Sequence, residues 1–204
     1  MDVTQEVLQR HSEEDFRHRF STFVDSGAAV IHVRTAEIMR CLMALRKQAV
    51  ADKGEYLEWD IVNGFREFNV TDMSNLVKKG DGNIDIASAF STPMEAVTTY
   101  QGERTRYYVY VNPHVFLENN PHMSQLVLQY ASILPATNIC MVLVTPDIPL
   151  PGDVPVNLLS LTFDPPGLGE LQNTLSAVLD GVGDGFDDGI TISDEDKERV
   201  CYVG

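Results

Sequence analysis

The sequence predicts a three-layer αβα sandwich on a mainly parallel, five-stranded sheet. Five short apolar runs, at 28–34, 55–62, 105–112, 138–145 and 157–163, alternate with segments whose apolar residues recur at helical spacing. Runs this apolar are strands covered on both faces, and the helices between them supply the crossovers that parallel pairing needs. With 204 residues, 44% of them hydrophobic, the chain can also bury one sizeable core.

The elements follow in order. Residues 4–25 read as a helix with Phe16, Phe20, Phe23 and Val24 on one face, ended by Ser26-Gly27. Ala28 to Arg34 is the first strand. Thr35 is placed to cap a helix that turns Ile38, Cys41, Leu42, Leu45 and Ala49 inward and runs to Gly54. Glu55 to Val62 alternates at period two and closes at Asn63-Gly64, which completes a right-handed β-α-β unit. Residues 65–91 are weakly patterned: a short helix is expected from Asp72 to Lys79, then a turn at Gly80-Asp81-Gly82-Asn83. Thr92-Pro93-Met94-Glu95 has the form of a capping box with proline at the first helical position, opening a helix to about Tyr100.

The central strand is 105–112, where Tyr107, Tyr108, Val109, Tyr110 and Val111 climb out of a charged loop and stop at Asn112-Pro113. Asn120-Pro121 starts a helix with Met123, Leu126, Val127, Tyr130 and Leu134 on one face. Strands at 138–145 and 157–163 flank the proline-rich loop Pro146–Pro155, and Leu168, Leu171, Leu175, Val178 and Leu179 mark a last helix. From Gly181 the chain turns acidic and glycine-rich. The expected divisions are an N-terminal helix (1–25), the α/β domain (26–181), a linker (182–192) and the start of a helical lid (193–204). Ser193-Asp194-Glu195-Asp196 signals a helix start so near Gly204 that the polypeptide is expected to continue.

A net charge of −15 repels nucleic-acid phosphate, so direct nucleic-acid binding is not expected. Cys41, Cys140 and Cys201 are too far apart for a C-x-x-C pair, which fits a reducing cytoplasm. No apolar run is long enough for a membrane span, and the N-terminus lacks the pattern of a signal peptide.

Tests for chemistry come out mostly empty. A phosphate loop needs glycines, then Lys and Ser/Thr; after the first strand stands Arg34-Thr35-Ala36-Glu37, and no lysine is followed by Ser or Thr. The central strand ends in a neutral amide, where a magnesium-binding strand carries carboxylates. His114 and His122 lack further ligands at zinc spacing, and His32, inside a strand, reads as a hydrogen-bonded core residue. Asp184, Asp188, Gly189 and Glu195 match four positions of a calcium loop, but Phe186 and Ile192 occupy two others. No G-x-S-x-G elbow is present. No catalytic and no metal-ligating residue is assigned. For a ligand above the strand ends, the candidates are Thr35, Asn112 and Thr145.

In order, these parts resemble the N-terminal domain of AAA-type ATPases of the Ycf46 kind. The matching pieces are Ala28–Arg46, the Trp59-to-Gly64 turn, Tyr108–Leu117, the Val142–Pro151 signature, Leu161–Pro166 and Ile192–Glu195. The departure is Asn112-Pro113, where relatives carry Asp and a polar residue. The resemblance implies a degenerate RecA/AAA-like domain, with P-loop NTPase topology but no P-loop. A downstream AAA module would bind ATP and magnesium and hydrolyse the nucleotide. The implied role for this part is a non-hydrolysing, cofactor-free scaffold in the cytoplasm, in contact with copies of itself, other subunits or protein partners. Alternatives are a nucleotide-binding domain with a non-standard site, or a free-standing interaction module of viral or phage origin in the host cytoplasm.

Overall fold

The computed structural model describes residues 13–69, 76–78, 85–118, 120–146, 150 and 158–183. The chain divides into two units, Phe16–Phe163 and a second made of Met1–Asp15 with Asp164–Gly204. In the second, the described helix is Leu168–Gly183, and the Glu170 carboxylate accepts the Glu13 backbone N–H at 3.0 Å.

Ahead of that helix the chain runs α1 (Glu13–Asp25, in the larger unit from Phe16), β1 (Val30–Thr35), α2 (Ile38–Ala51), β2 (Glu55–Asp60), β3 (Gly64–Phe68), β4 (Leu76–Lys78), α3 (Ile86–Thr99), β5 (Arg106–Val111), the short α4 (His114–Leu117), α5 (Pro121–Ile133), β6 (Ile139–Thr145) and β7 (Leu159–Phe163). The sheet has seven strands in the order β4-β3-β2-β5-β6-β1-β7. The five predicted strands form its parallel part, and β3 and β4 extend it antiparallel.

The extension corrects the expectation of a helix from Asp72 to Lys79. Leu76–Lys78 pairs with β3, while residues 72–75 and 79 lie outside the described residues. Asn63-Gly64 is a hairpin signal, and Gly64 takes the left-handed φ of +67° that such turns demand. Asp60 locks the turn, its Oδ1 accepting the backbone N–H groups of Val62 (2.9 Å) and Asn63 (2.8 Å).

Helices cover both faces. On one, Ala89, Phe90, Met123, Val127 and Tyr130 of α3 and α5 pack on Leu57, Trp59, Tyr108, Tyr110, Met141 and Leu143. On the other, Phe16, Phe20, Cys41, Leu42 and Leu45 of α1 and α2 pack on Ile31, Val33, Tyr107, Val109, Val142 and Val144. All seven residues of β6 are buried, which accounts for its unbroken apolar run. Cys41 and Cys140 are buried free thiols; burial pushes Cys140 up to about 12 and Cys41 higher still, so both behave as small hydrophobes. Among the described residues no helix is long and apolar enough to cross a membrane.

Pro93 does not open α3. It lies inside that helix, whose cap is Asp85, with Oδ2 accepting Ser88 N–H at 2.9 Å. An interior proline has no N–H for the carbonyl four residues back and crowds that turn. Two buried tyrosines repair the gap. Tyr110 of β5 donates its hydroxyl to Ala89 O at 2.8 Å. Tyr130 of α5 donates to Phe90 O and accepts the Met94 backbone N–H. A proline that reads locally as a start is tolerated centrally because tertiary contacts satisfy the freed groups.

One buried charge lies at the α2–β2–β3 junction. Glu58, 1% exposed, receives Arg46 at 2.6 Å, Arg66 at 3.0 Å and the Tyr56 hydroxyl at 3.0 Å. Gly54, between α2 and β2, allows close approach: a Cβ there would stand 2.7 Å from Thr105 O.

Candidate functional site

Ligands of open α/β sheets sit outside the carboxyl ends of the parallel strands. Register sets which side chains meet there. Arg34 lies opposite Thr145 on one side and Thr162 on the other, and Val111 opposite Val144 puts Asn112 next to Thr145. The Asn112 backbone N–H donates to Val144 O at 2.9 Å, extending the ladder by one bond. Asn112, Thr145, Arg34 and Thr162 therefore form one polar row at the sheet edge.

The row is largely closed by the chain itself. The Thr145 hydroxyl, fully buried, donates to Pro146 O at 2.9 Å. His32 Nε2 lies 2.8 Å from the same hydroxyl. Burial first, then the charges of Arg34 and His114, lower its pKa to about 4. Arg34 Nη2 donates to Thr162 Oγ1 at 3.3 Å. Burial also lowers the pKa of His114, against the opposing pull of Glu118.

Thr35 stands apart from Asn112 and Thr145. It is one residue beyond Arg34, so its side chain projects to the opposite face of the sheet. There it is 1% exposed, and its Oγ1 accepts the Glu37 N–H at 2.9 Å. The cap position of α2 belongs to Glu37, which makes no side-chain capping bond; its carboxylate takes Arg40 Nε at 2.7 Å. Thr35 is thus correctly placed at the helix entrance but is not its cap, because α2 begins two residues later than its pattern suggests.

Asn112 has left-handed backbone, φ +55°, which Asn tolerates better than most residues. Its Oδ1 and His114 Nδ1 are both buried without a hydrogen-bond partner. The four residues of the row carry no carboxylate, and the bases at this edge are the imidazoles of His32 and His114, both kept neutral by burial. Among the described residues no group of three or more His, Cys, Asp or Glu could hold a metal ion. The calcium-like segment 184–195 lies outside the described residues.

His32, Arg34, Thr162 and His114 join Asn112 and Thr145 at this edge, though nothing local in the sequence singles them out as a set. The usable signal was parity. His32 and Arg34 alternate along β1 and so share one face, and both are polar in an otherwise apolar strand.

Sheet order and the helices on both faces define a three-layer α/β domain, with no phosphate-loop motif after its first strand. Residues 16–163 match the family model described as the SpoVK-like AAA ATPase N-terminal domain, and the chain belongs to that family. No curated protein matches it in sequence. Among solved structures it is similar to a chain of Drosophila ORC bound to DNA, at 14% identity and a TM-score of 0.45, over 74% of this chain and 88% of that one. It is also similar to a chain of the E. coli MS115-1 HORMA:CdnC:Trip13 complex, at 11% identity and a TM-score of 0.49. That match covers 91% of this chain and 62% of the other.

Proposed function

We propose that this domain is a non-hydrolysing scaffold of a larger AAA-type ATPase of the Ycf46 kind. It presents surfaces to neighbouring subunits or protein partners in the cytoplasm, while a downstream AAA module binds ATP and magnesium and does the hydrolysis. Family membership supports the larger assembly. The observation that carries the scaffold role is the closed strand edge: Thr145, fully buried, is bonded to Pro146 O and His32. The loop after β1 carries no glycine, and Glu37 would meet phosphate with like charge. Calorimetric titration of the chain with ATP and Mg²⁺ tests this. Flat heats are expected; micromolar binding would sink the proposal.

A second reading, nucleotide binding at a non-standard site, draws on the unpartnered Asn112 Oδ1 and His114 Nδ1. Thr35, the third candidate, lies on the other face with its Oγ1 accepting the Glu37 N–H. Under this reading Asn112→Ala would abolish any heat that the titration shows.

A further inference from the structure

The two ends of the parallel sheet carry features that complement each other. At the carboxyl end of β2 the turn to β3 presents Val62, 79% exposed and the most exposed large hydrophobic side chain among the described residues, beside Ile61 at 46%. Turn tips are ordinarily polar. This one is also held rigidly. Asp60 Oδ1 takes the Val62 and Asn63 backbone N–H groups, both its oxygens take Asn63 Nδ2, and Arg66 Nη2 closes on Oδ2 at 2.6 Å. A backbone fixed in this way has little entropy left to lose when its side chain is bound. The Asp60 charge is matched by Arg66, and residues 61–64 carry none.

The amino ends of the strands hold the counterpart. A cavity of about 100 Å³ opens just ahead of β1, β5 and β6, walled mainly by Val24, Ala28, Ala29, Leu134, Pro135 and Ile139. No residue lining it is charged. Its volume is that of about three waters, or of one branched aliphatic side chain, and its walls suit the second. β1, β2, β5, β6 and β7 all run parallel, so the tip and the cavity open from opposite ends of the sheet. On a chain of net charge −15, two uncharged apolar features are where another copy meets least repulsion.

We propose that the Val62 tip of one copy seats in the strand-start cavity of the next, joining copies of this chain head to tail. A molecule with a knob at one end and a socket at the other cannot satisfy both in a single pair, so each contact leaves one of each open for a further copy. Two side chains in a socket of this size bury far less than a permanent interface, so the contact is weak and reversible. The inference rests on the scaffold reading and names a subunit contact for it. It is read without nucleotide, so it can fail while the ATP titration stays flat.

Sedimentation velocity of the whole chain at rising concentration tests it. Expected is reversible association with a submillimolar dissociation constant and an average mass that climbs past the dimer. Val62→Lys, with the socket intact, and Pro135→Lys, with the tip intact, should each weaken association at least ten-fold, although both lower the net negative charge. Mixed in equal amounts, the two variants should associate again but stop at a dimer, which also shows that both are folded. Met43→Lys, at an exposed apolar residue of α2 away from both ends, should change nothing. Should Pro135→Lys melt early, Asn138→Lys, exposed at the same socket, takes its place. Four results would each overturn the proposal: a parent chain that stays monomeric, a socket variant that associates as well as the parent, a mixture that stays monomeric while both variants melt like the parent, or an equal loss in Met43→Lys.

Discussion

Tyr110→Phe removes one oxygen from the core, and the cost depends on a proline four residues beyond the group it serves. Ala89 and Tyr110 are both 0% exposed, so after the change the Ala89 carbonyl has neither the tyrosine hydroxyl nor water. A buried acceptor left unmatched costs about 1–3 kcal/mol. The expected loss is about 2 kcal/mol, or roughly 4–8 °C in Tm for a chain of this size. In a Pro93→Ala background residue 93 regains its N–H, which can reach Ala89 O by the normal helical bond. Tyr110→Phe should then cost about 1 kcal/mol or less, giving a coupling of about 1 kcal/mol between positions 93 and 110. Urea denaturation of the four chains, with m-values compared, provides the measurement. Equal losses in both backgrounds would refute the view that the tyrosine stands in for the missing N–H.

Glu58→Gln leaves Arg46 and Arg66 facing a neutral amide in a buried setting. Stability should fall by about 3 kcal/mol in the same assay, and a loss under about 0.5 kcal/mol would mean the two guanidiniums had turned to solvent. His32 gives the fold a pH dependence of definite sign. Its folded pKa near 4 lies below the ordinary 6.5, so the unfolded chain takes the proton first. The contribution is complete above pH 6.5 and is lost as pH falls towards 4. It amounts to about 2 kcal/mol after discounting for solvent at the strand edge, and His32→Asn should flatten that limb of a pH–stability profile measured by thermal melting.

The parallel core was legible because its signals are strong and local. Ile139–Thr145 is apolar at every step but the last, and Asn112-Pro113 stops β5 where a strand must stop. β3 is less legible: Gly64-Phe65-Arg66-Glu67-Phe68 does alternate after Asn-Gly, but the same dipeptide serves equally as the stop signal of β2. Pro93 misled for a different reason. Local rules place a proline at a helix start, and the two tyrosine hydroxyls that permit it inside come from residues 17 and 37 positions further along the chain. Of the strand-edge candidates, Asn112 and Thr145 are neighbours in register, whereas Thr35 stands one residue past Arg34 and so falls on the other face, a parity that the sequence already carries.

The chain of hydrogen bonds from His32 through Thr145 to the Pro146 carbonyl also constrains how this domain could change. Grafting glycines and a lysine onto residues 34–37 would add phosphate donors beside a threonine whose hydroxyl is already spent. Freeing that hydroxyl strands a buried imidazole, and replacing the imidazole opens a hole beneath the strand end. Phosphate donors at 34–37 would therefore come with a rebuilding of the buried His32–Thr145 pair, so the two changes have to be made together.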